Sequence, residues 1–330
     1  MRSTVFAVLA VTLAVGLLLA RAVPDRLSKP LGVEQAMPLV VESGTNLKAL
    51  NQRLADDGVV PDAHALYWYA RYLGVADRIQ AGEYVMSPGM SADDLLDMLV
   101  QGDVVQHAFT VVEGWTVAQL RAAMAADDRF EHDTAHLTPE QLLDRLGIDA
   151  DHPEGLFLPE TYFITTGSRE STLLQRAHRA LNATLEAAWA MRADALPLDT
   201  AYDALILASI VEKETGQAVE RPAIAGVFTR RLKEGMRLQT DPTVIYGIGP
   251  SFDGDIRRRD LRTDTPYNTY TRHGLPPTPI ALAGRAAIEA AVQPLEGDAL
   301  YFVSRGDGSH SFSATLAEHE AAVRKYQLNQ

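Results

Sequence analysis

The segment from Asp203 to Thr215 (DALILASIVEKET) restricts this chain more than any other stretch, because it requires a buried place in the fold and carries a carboxyl group into it. Its periodicity predicts a helix with Leu207, Ile210 and Val211 on one stripe, and Glu214 falls on the same stripe. Glu212 lies about 160° around the helix at roughly 100° per residue, so it is predicted to face water. A carboxyl group on a core-facing stripe is desolvated, and desolvation raises its pKa toward the range a general acid needs. Gly216 is predicted to stop the helix, which puts Glu214 in the last turn beside the following loop. There the negative end of the helix dipole raises the pKa further. The competing reading of the same stripe is a last-turn Glu that reaches out to solvent or pairs with an Arg.

The chain has 330 residues, enough for two domains and a sizeable core. Its 47% apolar and 22% charged content is that of a folded protein rather than a disordered one. A net charge of -13 argues against nucleic acid as a partner, since phosphate binding needs a basic face. Cysteine is absent, so neither disulfides nor thiolate metal sites are available. Ser3 to Ala20 is almost unbroken apolar sequence between Arg2 and Arg21, the pattern of a short transmembrane anchor or a signal peptide. Read as an uncleaved anchor, with Arg2 holding the amino terminus in the cytoplasm, it exports the remaining chain.

Pro24 to Pro38 reads as a linker. Leu39 to Val41 is strand-like, Thr45 is placed to cap a helix through Leu54, and Pro61 to open a second with Leu66, Tyr67, Tyr69, Ala70 and Leu73 inward. Gly82 to Val85 returns as a strand, and Ser91 caps a helix that ends near Gly102. This order predicts two helices on a small antiparallel sheet. Val104 to Val112 reads as a strand, Thr116 to Ala125 as a helix with Val117, Leu120 and Met124 inward, and 140–146 as a short helix. His107, His132, His136 and His152 lack the tight spacing of zinc ligands and read as solvated surface residues. Thr172 to Arg192 is a long amphipathic helix, Pro222 opens another that ends before Gly235, and the strands Ala299–Val303 and His310–Ser313 flank a glycine hairpin. A final helix closes residues 314–327.

Polar and aromatic residues gather in the loop-rich stretch from Leu238 to Leu282. Asp241 is predicted as an N-cap with Pro242 at the first helical position. Asp264 to Tyr270 (DTPYNTY) offers amide, hydroxyl and phenol groups with little apolar material to bury. Aromatic faces beside hydrogen-bonding tips suit sugar rings, although ordinary loop packing accounts for the same residues. No phosphate-binding loop, dinucleotide glycine fingerprint or Gly-x-Ser-x-Gly elbow is present.

The runs ASIVEKETG (208–216), RLQTDPTVIYG (237–247), DTPYNTY (264–270) and GLPP (274–277) together resemble the endolytic murein transglycosylases, the MltG or YceG-like family. EGLFLPETY (154–162) is similar to the family segment E-G-x-F-x-P-[DE]-T-Y, and the terminal YFVSRGDGSHSFS also fits. The resemblance spans nearly the whole chain. It implies an α+β protein with a membrane anchor over residues 1–22, a linker over 23–37, a small LysM-like α/β subdomain over 38–103, a connecting strand and helix region over 104–153 and a larger catalytic domain over 154–330. It further implies a single-pass protein of the inner membrane, with its catalytic domain on the periplasmic side and no cofactor or metal.

The activity implied is cleavage of MurNAc-β-1,4-GlcNAc bonds within nascent peptidoglycan strands, leaving 1,6-anhydro-MurNAc ends and terminating glycan elongation. The second Glu of the family's E-K-E-T run, the catalytic one, corresponds to Glu214. Glu154, Thr215, Gln239, Asp241, Tyr246, Asn268 and Tyr270 are expected to contact substrate or to support the loops that do. Penicillin-binding synthases are implied as partners. Rival readings are a non-catalytic peptidoglycan-binding scaffold, an inverting muramidase in which Asp241 or Glu154 activates water, and a secreted solute-binding protein.

Overall fold

The computed structural model describes residues 29–328. The apolar run of the predicted anchor lies outside the described residues, and among those described no helix is long and apolar enough to cross a membrane. The fold is mixed α+β and divides into two compact units. One takes residues up to His107 together with Phe163–Gly167, and the other takes Ala108–Tyr162 and the chain from Ser168 onward.

The first unit contains β1 (Met37–Val41), α1 (Leu47–Asp56), α2 (Ala63–Leu73), β2 (Gly82–Met86) and α3 (Ala92–Gln101). β1 and β2 run antiparallel, with Met37 opposite Met86 and Val41 opposite Gly82. The two-residue period of a strand turns Leu39, Val41, Tyr84 and Met86 inward. They join Leu47, Leu50 and Leu54 of α1, Leu66 of α2 and Leu95, Leu96 and Leu99 of α3 in one core. Three helices therefore cover the strand pair, one more than the two expected. Packing begins ahead of β1, since Leu31 and Val33 belong to this core and the Leu31 N–H donates to the Met90 carbonyl at 2.8 Å.

Ser91 caps α3 as expected, and Asp94 completes a reciprocal capping box. Two other helix starts shift. Asn46 rather than Thr45 caps α1, accepting from the Ala49 N–H, and Asp62 caps α2 where Pro61 was expected to open it. In both cases a longer side chain with an accepting oxygen reaches the free N–H groups of the first turn. Leu73, expected inward, is 48% exposed because α2 is already ending at the left-handed Gly74.

From His107 the chain forms β3 (His107–Thr110), α4 (Val117–Ala125), β4 (Phe130–Glu131), α5 (Pro139–Leu146), β5 (Thr161–Ile164), β6 (Ser168–Arg169), α6 (Glu170–Ala190), α7 (Ala201–Glu214) and α8 (Arg221–Lys233). It continues through α9 (Asp241–Ile248), α10 (Arg258–Arg262), α11 (Arg285–Val292), β7 (Tyr301–Ser304), β8 (His310–Ser313) and α12 (Leu316–Val323). α4 buries Val117, Leu120 and Met124 as its sequence predicts, behind a Thr116–Gln119 capping box. The hairpin also forms as predicted, with Tyr301 of β7 opposite Ser313 of β8 and Ser304 opposite His310.

α7 is the axis of the second unit's core. Every residue from Ala204 to Val211 is buried. Leu205, Leu207, Ile210 and Val211 pack with Ile224 and Phe228 of α8 and Ile288 and Val292 of α11. A helix that is apolar on all sides must be enclosed, so the single stripe of the sequence reading understates what covers it. Of the four histidines read as solvated, His136 is exposed, but the other three are tied in, His107 with its Nε2 3.4 Å from the Glu83 carboxylate. His132 Nδ1 lies 2.8 Å from the buried Glu170 carboxylate, and His152 Nδ1 accepts the Glu154 N–H at 3.1 Å.

Candidate active site

α7 delivers two carboxyl groups at its carboxy-terminal end, and they meet different surroundings. Glu212, predicted to face water, is instead buried, with its side chain 4% exposed. Its Oε1 accepts from Arg221 at 2.9 Å and its Oε2 from the Gly284 N–H at 2.9 Å. Rotating away from the stripe leads to another protein surface because Arg221 and the Gly284 backbone meet α7 on that side. Arg221 also reaches Glu113 at 3.3 Å, so one buried guanidinium serves two carboxylates.

Among the described residues Glu214 has no such counter-ion in contact. Its Oε2 accepts from the Thr240 hydroxyl at 2.8 Å. Burial pushes its carboxyl above the ordinary value; the Thr240 hydrogen bond opposes that rise, the Asp241 charge adds to it, and His310 and Arg231 oppose it more weakly. The reading that paired Glu214 with an Arg in contact is thus not what forms. The helix ends without a left-handed glycine, contrary to the expectation for Gly216. Thr215 turns extended (φ -141°, ψ 134°), and its Oγ1 accepts from the Gln217 N–H at 2.9 Å.

The segment facing Glu214 is set by a backbone constraint. Gln239 adopts a left-handed conformation (φ 52°) that non-glycine residues rarely take. Its N–H donates to the Thr269 carbonyl at 3.2 Å. The turn presents Thr240 to Glu214, and Thr240 stands at the N-cap of α9. Asp241, expected at that cap, is the first helical residue instead, and its Oδ1 accepts from the Tyr270 hydroxyl at 2.6 Å. Glu214, Thr240, Asp241 and Tyr270 thus form one polar cluster.

A second cluster forms around Glu154. Its Oε1 accepts from the Val117 N–H at 3.0 Å, at the amino end of α4, and from the Gly155 N–H at 3.3 Å. Its Oε2 accepts from the Tyr246 hydroxyl at 3.2 Å. Burial nevertheless raises this carboxyl to about 7, against those three hydrogen bonds. Tyr246 packs edge-on against Tyr267 at 4.8 Å between ring centres. Gly155 (φ 80°) leaves room for Pro279, which a Cβ would strike, and so lets the Glu154 turn lie against the segment after GLPP.

Asn268 acts as a bracket. Its amide nitrogen donates to the carbonyls of Asp260, Leu261 and Thr263, and its Oδ1 accepts from the Tyr270 N–H at 2.9 Å. It is buried and holds α10 to the loop that carries Tyr270. Of the expected substrate residues, Asp241 and Tyr270 lie with Glu214, Tyr246 lies with Glu154, Gln239 shapes the turn, and Thr215 and Asn268 hold local structure.

Thr240 and Arg231 belong to the site without having stood out in the sequence. Arg231 of α8 is buried, donating to the carbonyls of Leu300 and Leu238 at 2.7 Å each and lying over the Tyr301 ring. For Thr240 a signal existed, since a Thr immediately before Asp-Pro is a natural N-cap.

Fold and site together define a mixed α+β protein built around a desolvated carboxyl group at the end of an enclosed helix. The sequence profile of the YceG-like family matches residues 39–325, and the chain belongs to that family. It is 33% identical over 306 residues to the endolytic murein transglycosylase of Bacillus subtilis (strain 168), covering 87% of this chain and 83% of that protein. It is 27% identical over 320 residues to the endolytic murein transglycosylase of Streptococcus pneumoniae serotype 2 (strain D39 / NCTC 7466), covering 87% of this chain and 57% of that longer protein. A crystal structure of a yceG-like protein from Listeria monocytogenes superposes with a TM-score of 0.55 at 28% identity, over 88% of this chain and 99% of the other.

Proposed function

We propose that this protein is an endolytic murein transglycosylase that cleaves within peptidoglycan glycan strands, with Glu214 as its single acid and base. The observation that carries the reading is the state of Glu214: a carboxyl group raised by burial, held through one oxygen by a neutral hydroxyl. A raised carboxyl favours the protonated form, which is the form that can donate to a glycosidic oxygen.

Glu214 donates its proton to the glycosidic oxygen as the C1–O bond of MurNAc breaks, releasing the GlcNAc side with a free 4-hydroxyl. The resulting carboxylate takes the proton of the MurNAc C6 hydroxyl, and the O6 lone pair closes on C1. The product is a 1,6-anhydro-MurNAc end, and Glu214 regains its proton. No water is consumed, so no second carboxylate has to activate one. Asp241 and Tyr270 flank the reacting centre, and Glu154 with Tyr246 supports the cleft wall. In this reading residues 1–22 anchor the chain in the inner membrane, residues 154–330 act on the periplasmic side, and the first unit serves as a LysM-like module beside penicillin-binding synthases.

The test is incubation of the protein with uncrosslinked glycan strands, with product ends read by mass spectrometry for wild type and Glu214→Gln. Anhydro-MurNAc ends from the wild type alone are expected. Reducing ends heavier by one water make the protein a hydrolase, and glycan binding without cleavage makes it a scaffold.

A further inference from the structure

Thr240 joins Glu214 to a closed set of three buried threonines. The Thr240 N–H donates to Thr269 Oγ1 at 3.1 Å. The hydroxyls of Thr269 and Thr243 meet at 2.8 Å. The Thr243 hydroxyl donates to the Thr240 carbonyl, also at 2.8 Å. A hydroxyl has one proton to give. With the Thr243 proton on the Thr240 carbonyl, Thr269 donates to Thr243; the Thr240 carbonyl also lies 3.5 Å from the Thr269 hydroxyl, so both side-chain protons stay within the ring. The ring uses only the main chain of Thr240. Its hydroxyl is left over and points at Glu214 Oε2, 2.8 Å away. The three side chains are buried, and β-branching stiffens each of them. Glu214 Oε1 has no hydrogen-bond partner among the described residues, nor is it one of the sealed, unpaired polar atoms.

We propose that Thr240 is a positioning residue that divides the labour between the two oxygens of Glu214: its hydroxyl holds Oε2 throughout the cycle, so that Oε1 alone gives the proton to the glycosidic oxygen and takes the next one from O6. This rests on the transglycosylase reading above. As the proton leaves Oε1, negative charge spreads onto Oε2, and the hydrogen bond from Thr240 strengthens as the transition state forms. The charged and titratable groups facing Glu214 are Asp241 of α9, His310 of β8, Arg231 of α8 and Tyr270 of the 264–270 loop. Thr240 is the residue in hydrogen-bond contact, and so the one able to select an oxygen.

The experiment compares wild type, Thr240→Val and Thr240→Ser in the full chain, reading the Glu214 carboxyl titration by ¹³C NMR and the pH profile of glycan cleavage. Valine keeps the branched shape and the main-chain ring while removing the donor. Loss of a donor to the carboxylate raises the Glu214 titration by about one unit. Because the starting acid must be protonated, the alkaline limb of kcat moves up by the same amount. On the plateau kcat falls about tenfold with KM unchanged. Thr240→Ser restores both the titration and the limb. A Val variant with lower kcat but an unmoved titration and limb overturns the proposal, since that pattern is a packing defect; so does a Ser variant that behaves like Val. A wild type that cleaves nothing overturns the transglycosylase reading itself, and the activity control separates that failure from the others.

Discussion

Glu212 and Glu214 leave α7 within one turn of each other and part company through their partners. Glu212 is neutralised by Arg221, and Glu214 is met by a hydroxyl. Periodicity alone picks out Glu214 because a carboxyl group on an apolar stripe is anomalous. Thr240 escapes it because its partner lies 26 residues away, a distance no local pattern spans. Glu154 carries a stability effect of definite sign. Its folded carboxyl sits at about 7 against an ordinary 4.5, so between those values the folded chain holds a proton the unfolded chain has lost. The stabilisation is complete below the unfolded value and declines as pH rises through the folded one. Glu154→Gln keeps an acceptor for Val117 and Gly155, and is expected to exceed wild type by about 2–3 kcal/mol at pH 8 with no advantage at pH 4. Chemical denaturation of both proteins across that range is the check, and parallel pH slopes would acquit Glu154.

At the scale of elements, helix starts were legible where a cap and its reciprocal partner sit three residues apart, as at Ser91 with Asp94 and Thr116 with Gln119. They drifted by a residue where adjacent polar residues compete, as at Thr45 against Asn46. The enclosure of α7 was less legible, because periodicity reports contrast between faces and says little when every face is covered. The tie between α7 and α8 is the buried Arg221. Arg221→Met leaves Glu212 without its counter-ion and is expected to destabilise by about 3–5 kcal/mol in urea unfolding. The turn into α9 makes the opposite demand at Gln239, whose left-handed backbone no hydropathy pattern announces. Gln239→Gly is expected to stay within about 1 kcal/mol of wild type, and Gln239→Val to lose about 1–2 kcal/mol, by the same assay. Equal stability of the two variants would mean that this turn relaxes.

Across the whole chain, each unit has a hydrophobic core of its own. One is built on Leu47, Leu50 and Leu95, the other on Ile210, Phe228 and Ile288. Calorimetry is therefore expected to resolve two transitions. Leu50→Ala should weaken one of them by about 2–5 kcal/mol and leave the other in place, and Ile288→Ala should do the reverse. A single transition that shifts with either substitution would contradict independent cores. The sequence held the components of both cores, but not their extent: Leu31 and Val33 lie in what reads as linker, and they pack because the N–H groups of Leu31 and Gly32 bond back to the Met90 and Val59 carbonyls.

The contrast at the end of α7 also makes this protein selectively labelable. Diazo reagents esterify carboxylic acids and spare carboxylates, so at neutral pH they should ignore most of the acidic surface. Glu154 is raised as well, yet it is sealed at 3% exposure. Glu214 combines a carboxyl shifted toward its protonated form with an Oε1 that is not sealed, which makes the end of one enclosed helix a natural address for a covalent probe.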